Sequence, residues 1–224
     1  MEERKIVVPG EIIVEGESFL PGDFVRKEGN YILANKYGLA EIEGRLVKII
    51  PLSGVYLPRK GNIIIGRVTS INYRGWLIDF DGHYNGFLSL NEVPKFINKG
   101  ELRDYLDYGE VVYAKIIEVE GSSTELSLKF KGLGKLEGGQ LISINSFKVP
   151  RLIGKEGSMI SLIKELTKTK IIVGQNGVVW VKGEKIEDEI KAKKIIKFIE
   201  ENSFVSGLTD NVKKFAEKLE EENE

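Results

Sequence analysis

The sequence contains no cysteine and a single histidine, so disulfides, cysteine-ligated zinc and multi-histidine metal sites are excluded, as are histidine–cysteine nucleophile systems. It also lacks any apolar run approaching the ~20 residues that span a bilayer. The start, Met1-Glu2-Glu3-Arg4-Lys5 followed by Ile6-Val7-Val8-Pro9, has no secretory apolar region. These absences lead to the expectation of a cytoplasmic protein with no membrane association, no cofactor, no metal and no catalytic residues of its own. Glutamine is scarce while Ile, Lys and Glu abound, a usage that resembles thermophile proteins.

Charge is near balance overall, 33 Lys+Arg against 34 Asp+Glu, but it is unevenly placed. Residues 140–200 hold 12 basic and 7 acidic side chains (+5), whereas residues 201–224 hold 3 and 7 (−4). Residues 58–131 balance at 10 each and residues 1–57 carry 7 against 9. A polyanion would therefore meet the 140–200 segment first. The closing Glu-Glu-Glu-Asn-Glu reads as a solvated tail.

Punctuation divides the chain into an all-β segment (1–57), a five-strand segment (58–131), an α+β segment (132–204) and a final helix with acidic tail (205–224). In the first, Pro9-Gly10, Pro21-Gly22-Asp23, Glu28-Gly29-Asn30 and Glu43-Gly44 cut short apolar stretches into strands. So small a unit buries little and is expected to lean on a neighbour. In the second, strands are expected at 62–71, 75–80, 86–90, 111–118 and 125–129, with a polar, partly helical insertion around 101–105. That is the order of an OB barrel.

Gly66-Arg67-Val68, Gly75-Trp76-Leu77-Ile78-Asp79-Phe80, Asn85-Gly86-Phe87-Leu88-Ser89-Leu90 and Leu126-Ser127-Leu128-Lys129 resemble an S1-type RNA-binding domain in order and spacing. The aromatic and histidine positions of that family are filled here by Arg74, Leu77 and Ser89, so its stacking platform is largely missing. Alternation assigns Trp76, Ile78 and Phe80 to the core face. Arg67, Tyr73, Arg74, His83 and Tyr84 remain as candidate RNA contacts; His83 has no metal partner and reads otherwise as a surface loop residue. Asp79 and Asp81 form a carboxylate pair able in principle to hold Mg²⁺, but they sit on a strand-turn edge where acidic residues are commonplace.

After a glycine-rich linker from Gly132 to Gly139, residues 140–144 open a pattern of strand, helix, loop, helix, strand, strand, helix. Gly154-Lys155-Glu156-Gly157 lies between two helical patterns and resembles the G-x-x-G loop of a type I KH module, which holds single-stranded RNA. Glycine at both ends admits a phosphate to backbone amides. Ser158 is expected to cap the following helix. Lys148, Arg151 and Lys155 are expected near the phosphates, although Glu156 opposes them. Ile153, Ile171 and Val173 form either an apolar floor for bases or ordinary core, and Ile171 and Val173 share a strand face. Gly174-Gln175-Asn176-Gly177 matches the same pattern but sits between two strands and reads as a hairpin turn. Lys193, Lys194 and Lys197 mark the outer side of the long helix.

The order of β domain, S1 and single KH resembles the RNA-binding cap subunit of the archaeal exosome, over residues ~5 to ~205. The resemblance implies a non-catalytic subunit that captures single-stranded RNA. It further implies three copies on a hexameric ring of ribonuclease-PH-like subunits, which carries out 3′-to-5′ degradation. A transcription elongation or antitermination factor and a nuclease remain as alternatives; the former usually carries two KH modules.

Overall fold

The computed structural model describes residues 5–80, 84–98, 100–121, 123–203 and 207–221. It divides into two units, residues 1–55 and 56–224.

In the first unit, β1 (Lys5–Val7), β2 (Ile12–Glu15), β3 (Leu20–Pro21), β4 (Val25–Glu28), β5 (Tyr31–Ala34), β6 (Gly38–Glu43) and β7 (Leu46–Pro51) form sheets ordered β1-β6-β7-β3 and β2-β5-β4. The turns Gly29-Asn30 and Gly44-Arg45 join β4 to β5 and β6 to β7. Alternation sends Val7, Ala40, Val47 and Ile49 inward against Val25, Ile32 and Ala34. The opposite face of the four-stranded sheet is also aliphatic. Ile6 lies beside Leu39 and Leu39 beside Ile50, while Leu20 lies beside Leu46. Ile6, Leu20, Leu46 and Ile50 are exposed, and between the two groups Lys48 pairs with Glu41 at 3.2 Å and Glu43 at 2.9 Å.

The second unit opens with β8 (Ile63–Asn72), β9 (Gly75–Asp79), β10 (Asn85–Ser89), the short helix α1 (Leu102–Tyr105), β11 (Val111–Glu120) and β12 (Ser123–Ser127). β12 pairs parallel to β10 and antiparallel to β11, which closes the five strands into an OB barrel. Bulges between Val68 and Ser70 and between Ile116 and Glu118 bend the two longest strands, as closure requires. The expected core face is observed: Trp76, Ile78 and Phe80 are buried. Trp76 Nε1 donates to the Leu106 carbonyl at 2.8 Å, so the insertion carrying α1 covers the ring. One element departs from expectation. Residues read as linker include β13 (Gly134–Leu136), which adds to β11 because the Val111–Tyr113 stretch otherwise leaves its edge unpaired.

The KH module follows as β14 (Gln140–Ser143), α2 (Val149–Ile153), α3 (Ser158–Thr167), β15 (Lys170–Val173), β16 (Val178–Lys182) and α4 (Ile186–Glu201), with α5 (Leu208–Glu221) packed on α4. Its sheet is antiparallel throughout in the order β14-β16-β15, the type I arrangement. Ile142, Val179, Val181, Leu152, Ile163, Ala192, Ile195 and Ile199 make one core, which Leu208, Val212, Ala216 and Leu219 of α5 extend.

The hairpin turn between β15 and β16 joins this module to the barrel. The Gln175 amide donates to the Ile63 carbonyl at 2.8 Å, and the Ile63 amide donates to Gln175 Oε1 at 2.7 Å. Asn176 accepts from the Ile65 amide at 3.2 Å and donates from Nδ2 to the carbonyls of Ile65, at 2.9 Å, and Phe80. The turn thus occupies the edge of β8 opposite β11, ahead of the point where β9 begins to pair.

Candidate nucleic-acid interface

Helix α2 ends at Gly154, whose amide donates to the Pro150 carbonyl at 2.9 Å. The chain then turns tightly: Gly154 (φ 75°), Glu156 (φ 53°) and Gly157 (φ 81°) all have positive φ. Gly154 is required twice over, since an added Cβ would also stand 2.7 Å from both Cβ and N of Met159. The Lys155 and Glu156 amides reach no acceptor among the described residues, whereas the Gly157 amide bonds back to Gly154 at 3.3 Å. Lys155 and Glu156 are exposed. Two unsatisfied donors at the foot of a ten-residue helix, in a left-handed turn, form a concavity suited to an anion. Ser158 does not cap α3: it is the first helical residue, and Gly157 in the left-handed conformation is the N-cap.

The cations separate. Arg151 and Lys155 are exposed and make no ion pair among the described residues. Lys148, by contrast, is half-buried, and its ammonium donates to the Glu200 carbonyl at 2.7 Å. It therefore stabilises the C-terminal end of α4. Lys197 is similarly occupied, donating to Ser143 O at 2.8 Å and pairing with Glu200 at 2.7 Å. Burial alone would raise the Glu200 pKa, but the Lys197 hydrogen bond, the Asn145 amide and the charges of Lys197 and Lys148 outweigh it and hold the carboxyl below its ordinary value.

The expected apolar floor also divides. Ile171 is 3% exposed and belongs to the core, while Ile153 and Val173 pack against that core half-buried. Ile171 and Val173 share a strand face, yet Ile171 faces the core cluster whereas Val173 lies at the end of β15, where the strand leaves it for the turn.

On the barrel, Tyr73 and Arg74 lie in the β8–β9 turn, Tyr73 68% exposed with the Arg74 guanidinium 5.6 Å from its ring centroid. Arg67 is not near them. It sits about 16 Å back from the end of β8, at ~3.3 Å per residue, with Nη1 donating to Gly109 O at 3.1 Å. There it lines two clefts, of about 740 and 300 Å³, between barrel and KH sheet, together with Leu141. Tyr84 stacks on Phe80 at 6.5 Å and packs against the barrel core. His83 lies outside the described residues.

Sequence reasoning overlooked the exposed aromatics beyond this set. Phe130 is 46% exposed with Lys115 Nζ 4.0 Å from its ring centroid. The available signal was local: Lys129-Phe130-Lys131 brackets an aromatic with cations.

Comparison with known proteins divides the chain in the same order. Residues 4–53 match the family model of the exosome RNA binding protein RRP4 N-terminal domain, residues 57–131 the S1 RNA binding domain and residues 139–187 the KH domain. The chain is 40% identical over 220 residues to exosome complex component Rrp4 of Methanothermobacter thermautotrophicus, covering 98% of this chain and 70% of the relative. It is 38% identical to the Rrp4 component of Thermoplasma acidophilum, covering 99% and 93%. A crystal structure described as a proposed exosome complex RNA-binding protein superimposes with a TM-score of 0.69 at 30% identity, over 76% of this chain and all of the other.

Proposed function

The chain belongs to the Rrp4 family of exosome complex components, and from that premise we infer that it is a non-catalytic, RNA-binding cap subunit. It captures single-stranded RNA and guides it to active sites in other subunits for 3′-to-5′ degradation. The observation that carries this reading is the Gly154–Gly157 loop, with Lys155 and Glu156 exposed and their two amides unpartnered among the described residues, beside the cations Arg151 and Lys155. An anionic backbone satisfies these donors without reading sequence, so RNA length should matter more than base identity. Tyr73 and Arg74 supply a second contact on the barrel turn, one ring and one planar cation able to stack on a base. Joining two weak sites on one body raises the effective concentration of the RNA at each.

The partner is a ring of ribonuclease-PH-like subunits carrying three copies of this chain, in the cytoplasm. The aliphatic sheet face of the first unit, with Ile6, Leu39 and Ile50 side by side, supports docking there, because such a contiguous patch is costly to leave in water.

The test compares degradation of a long unstructured RNA by the ring with and without this chain, alongside the chain incubated alone with labelled RNA, phosphate and Mg²⁺. Faster degradation in the first arm and intact RNA in the second are expected. No gain on long RNA would reject capture, and shortening by the isolated chain would place catalysis in it.

A further inference from the structure

We propose that Lys115, Phe130 and Lys131, with Arg59 and Lys60 beside them, form a further contact for single-stranded RNA on the barrel, separate from the β8–β9 turn. The proposal rests on the RNA-binding reading given above and extends it to a surface that reading leaves unused.

Folding brings these residues together from three places in the sequence. The alternation of β11 buries Val112, Ala114 and Ile116 and so turns Lys115 outward. Lys115 then lies over Phe130, at 4.0 Å from its ring centroid, just beyond the end of β12. The Arg59-Lys60 turn is held against the same strand by two backbone bonds, Gly61 N to Ile116 O and Ile116 N to Asn62 O, each 2.8 Å. Arg59, Lys60 and Lys131 are exposed and make no ion pair among the described residues. Lys129 differs, since it pairs with Glu92 at 3.5 Å. Unpaired cations around a half-exposed ring are the combination that tracks a phosphate backbone while offering a face for one base.

Position strengthens the case. β15, which carries Val173, runs directly into the turn whose Gln175 is bonded to Ile63, and Ile63 is the register partner of Lys115. Lys115 is therefore about two strand spacings, roughly 10 Å, from Gln175 in the turn that follows β15. An RNA lying along β15 toward the turn meets this patch next. It does not first meet Tyr73 and Arg74, which lie at the far end of β8. A protein surface is the other class of partner such cations attract; the exposed ring and the alignment with β15 favour RNA.

The experiment measures binding of fluorescent single-stranded RNAs, short and long, to the full chain and to the triple variant Lys60→Gln, Lys115→Gln, Lys131→Gln across a salt series. Loss of three phosphate contacts at about 0.7 each should lower the slope of log affinity against log salt by about 2 and weaken long-RNA binding at least tenfold. Short RNA should bind both proteins alike. A second variant, Phe130→Leu, keeps the apolar cover over the barrel and should lose photo-cross-links to 4-thiouridine RNA at this position. Unchanged long-RNA affinity and slope in the triple variant would overturn the proposal alone. Impaired assembly with the ring at unchanged RNA affinity would also overturn it and assign the patch to protein contact. Absence of RNA binding by the wild-type chain would overturn both readings together.

Discussion

Replacing Asn176 by alanine tests whether the KH hairpin turn is structurally part of the barrel. The side chain is 4% exposed and makes three hydrogen bonds, from the Ile65 amide and to the Ile65 and Phe80 carbonyls. Ile65 is itself fully buried and Phe80 is 3% exposed, so water has little access to the groups left behind. At a net value of about 1 kcal/mol per bond, and up to 3 where a buried group stays unsatisfied, the loss is about 3 kcal/mol or more. For a cooperative unit of this size, that corresponds to a fall in Tm of about 6–12 °C. Asn176→Asp should be worse at neutral pH, because it sets a carboxylate against two carbonyl oxygens where an amide donated. Scanning calorimetry of the full chain reads both. A shift of less than about 2 °C for Asn176→Ala would mean that the turn rests on β8 without holding it.

The two loop glycines should respond unequally in thermal melts. Gly157→Ala meets only Ile160 at 3.9 Å and costs the left-handed backbone term of about 1–2 kcal/mol, while Gly154→Ala adds a clash with Met159 and should cost more. Trp76→Phe should lower stability by about 1–3 kcal/mol through the lost bond to Leu106 yet leave RNA affinity unchanged in a fluorescence titration; weakened binding would instead make Trp76 an RNA contact. The lowered Glu200 pKa contributes stability that is present above the ordinary carboxylate value and is lost as pH falls through the folded one. Urea midpoints of wild type and Glu200→Gln should accordingly differ at pH 7 and converge as the pH falls below the lowered carboxyl value of the folded state. Ile50→Asp in the first unit should abolish co-purification with the ring while leaving RNA binding intact.

Barrel and KH elements were legible because local patterns specify them. Period-two alternation placed Trp76, Ile78 and Phe80 inward, and flanking helices distinguished the Gly154 loop from its duplicate at Gly174. What escaped depends on partners remote in the chain. Asn176 could be read as a turn residue, but its acceptor and donor at Ile65 lie 111 positions away. Lys148 looked like a loop cation by proximity, and only folding reveals the α4 carbonyl it serves, 52 positions on. The division between Ile171 and Val173 depends on where β15 leaves the core, which alternation does not encode. β13 was hidden by glycines at both sides, whose composition describes a linker whether or not an open strand edge lies nearby.

Since β8 emerges from the ribosome more than a hundred residues before the turn that covers its edge, the nascent barrel waits with backbone donors of Ile63 and Ile65 unmatched. Cover for that one edge of β8 is thus timed by translation of the module that follows the barrel. A ribosome stalled inside that module would present an incomplete strand edge to chaperones or to a neighbouring nascent chain.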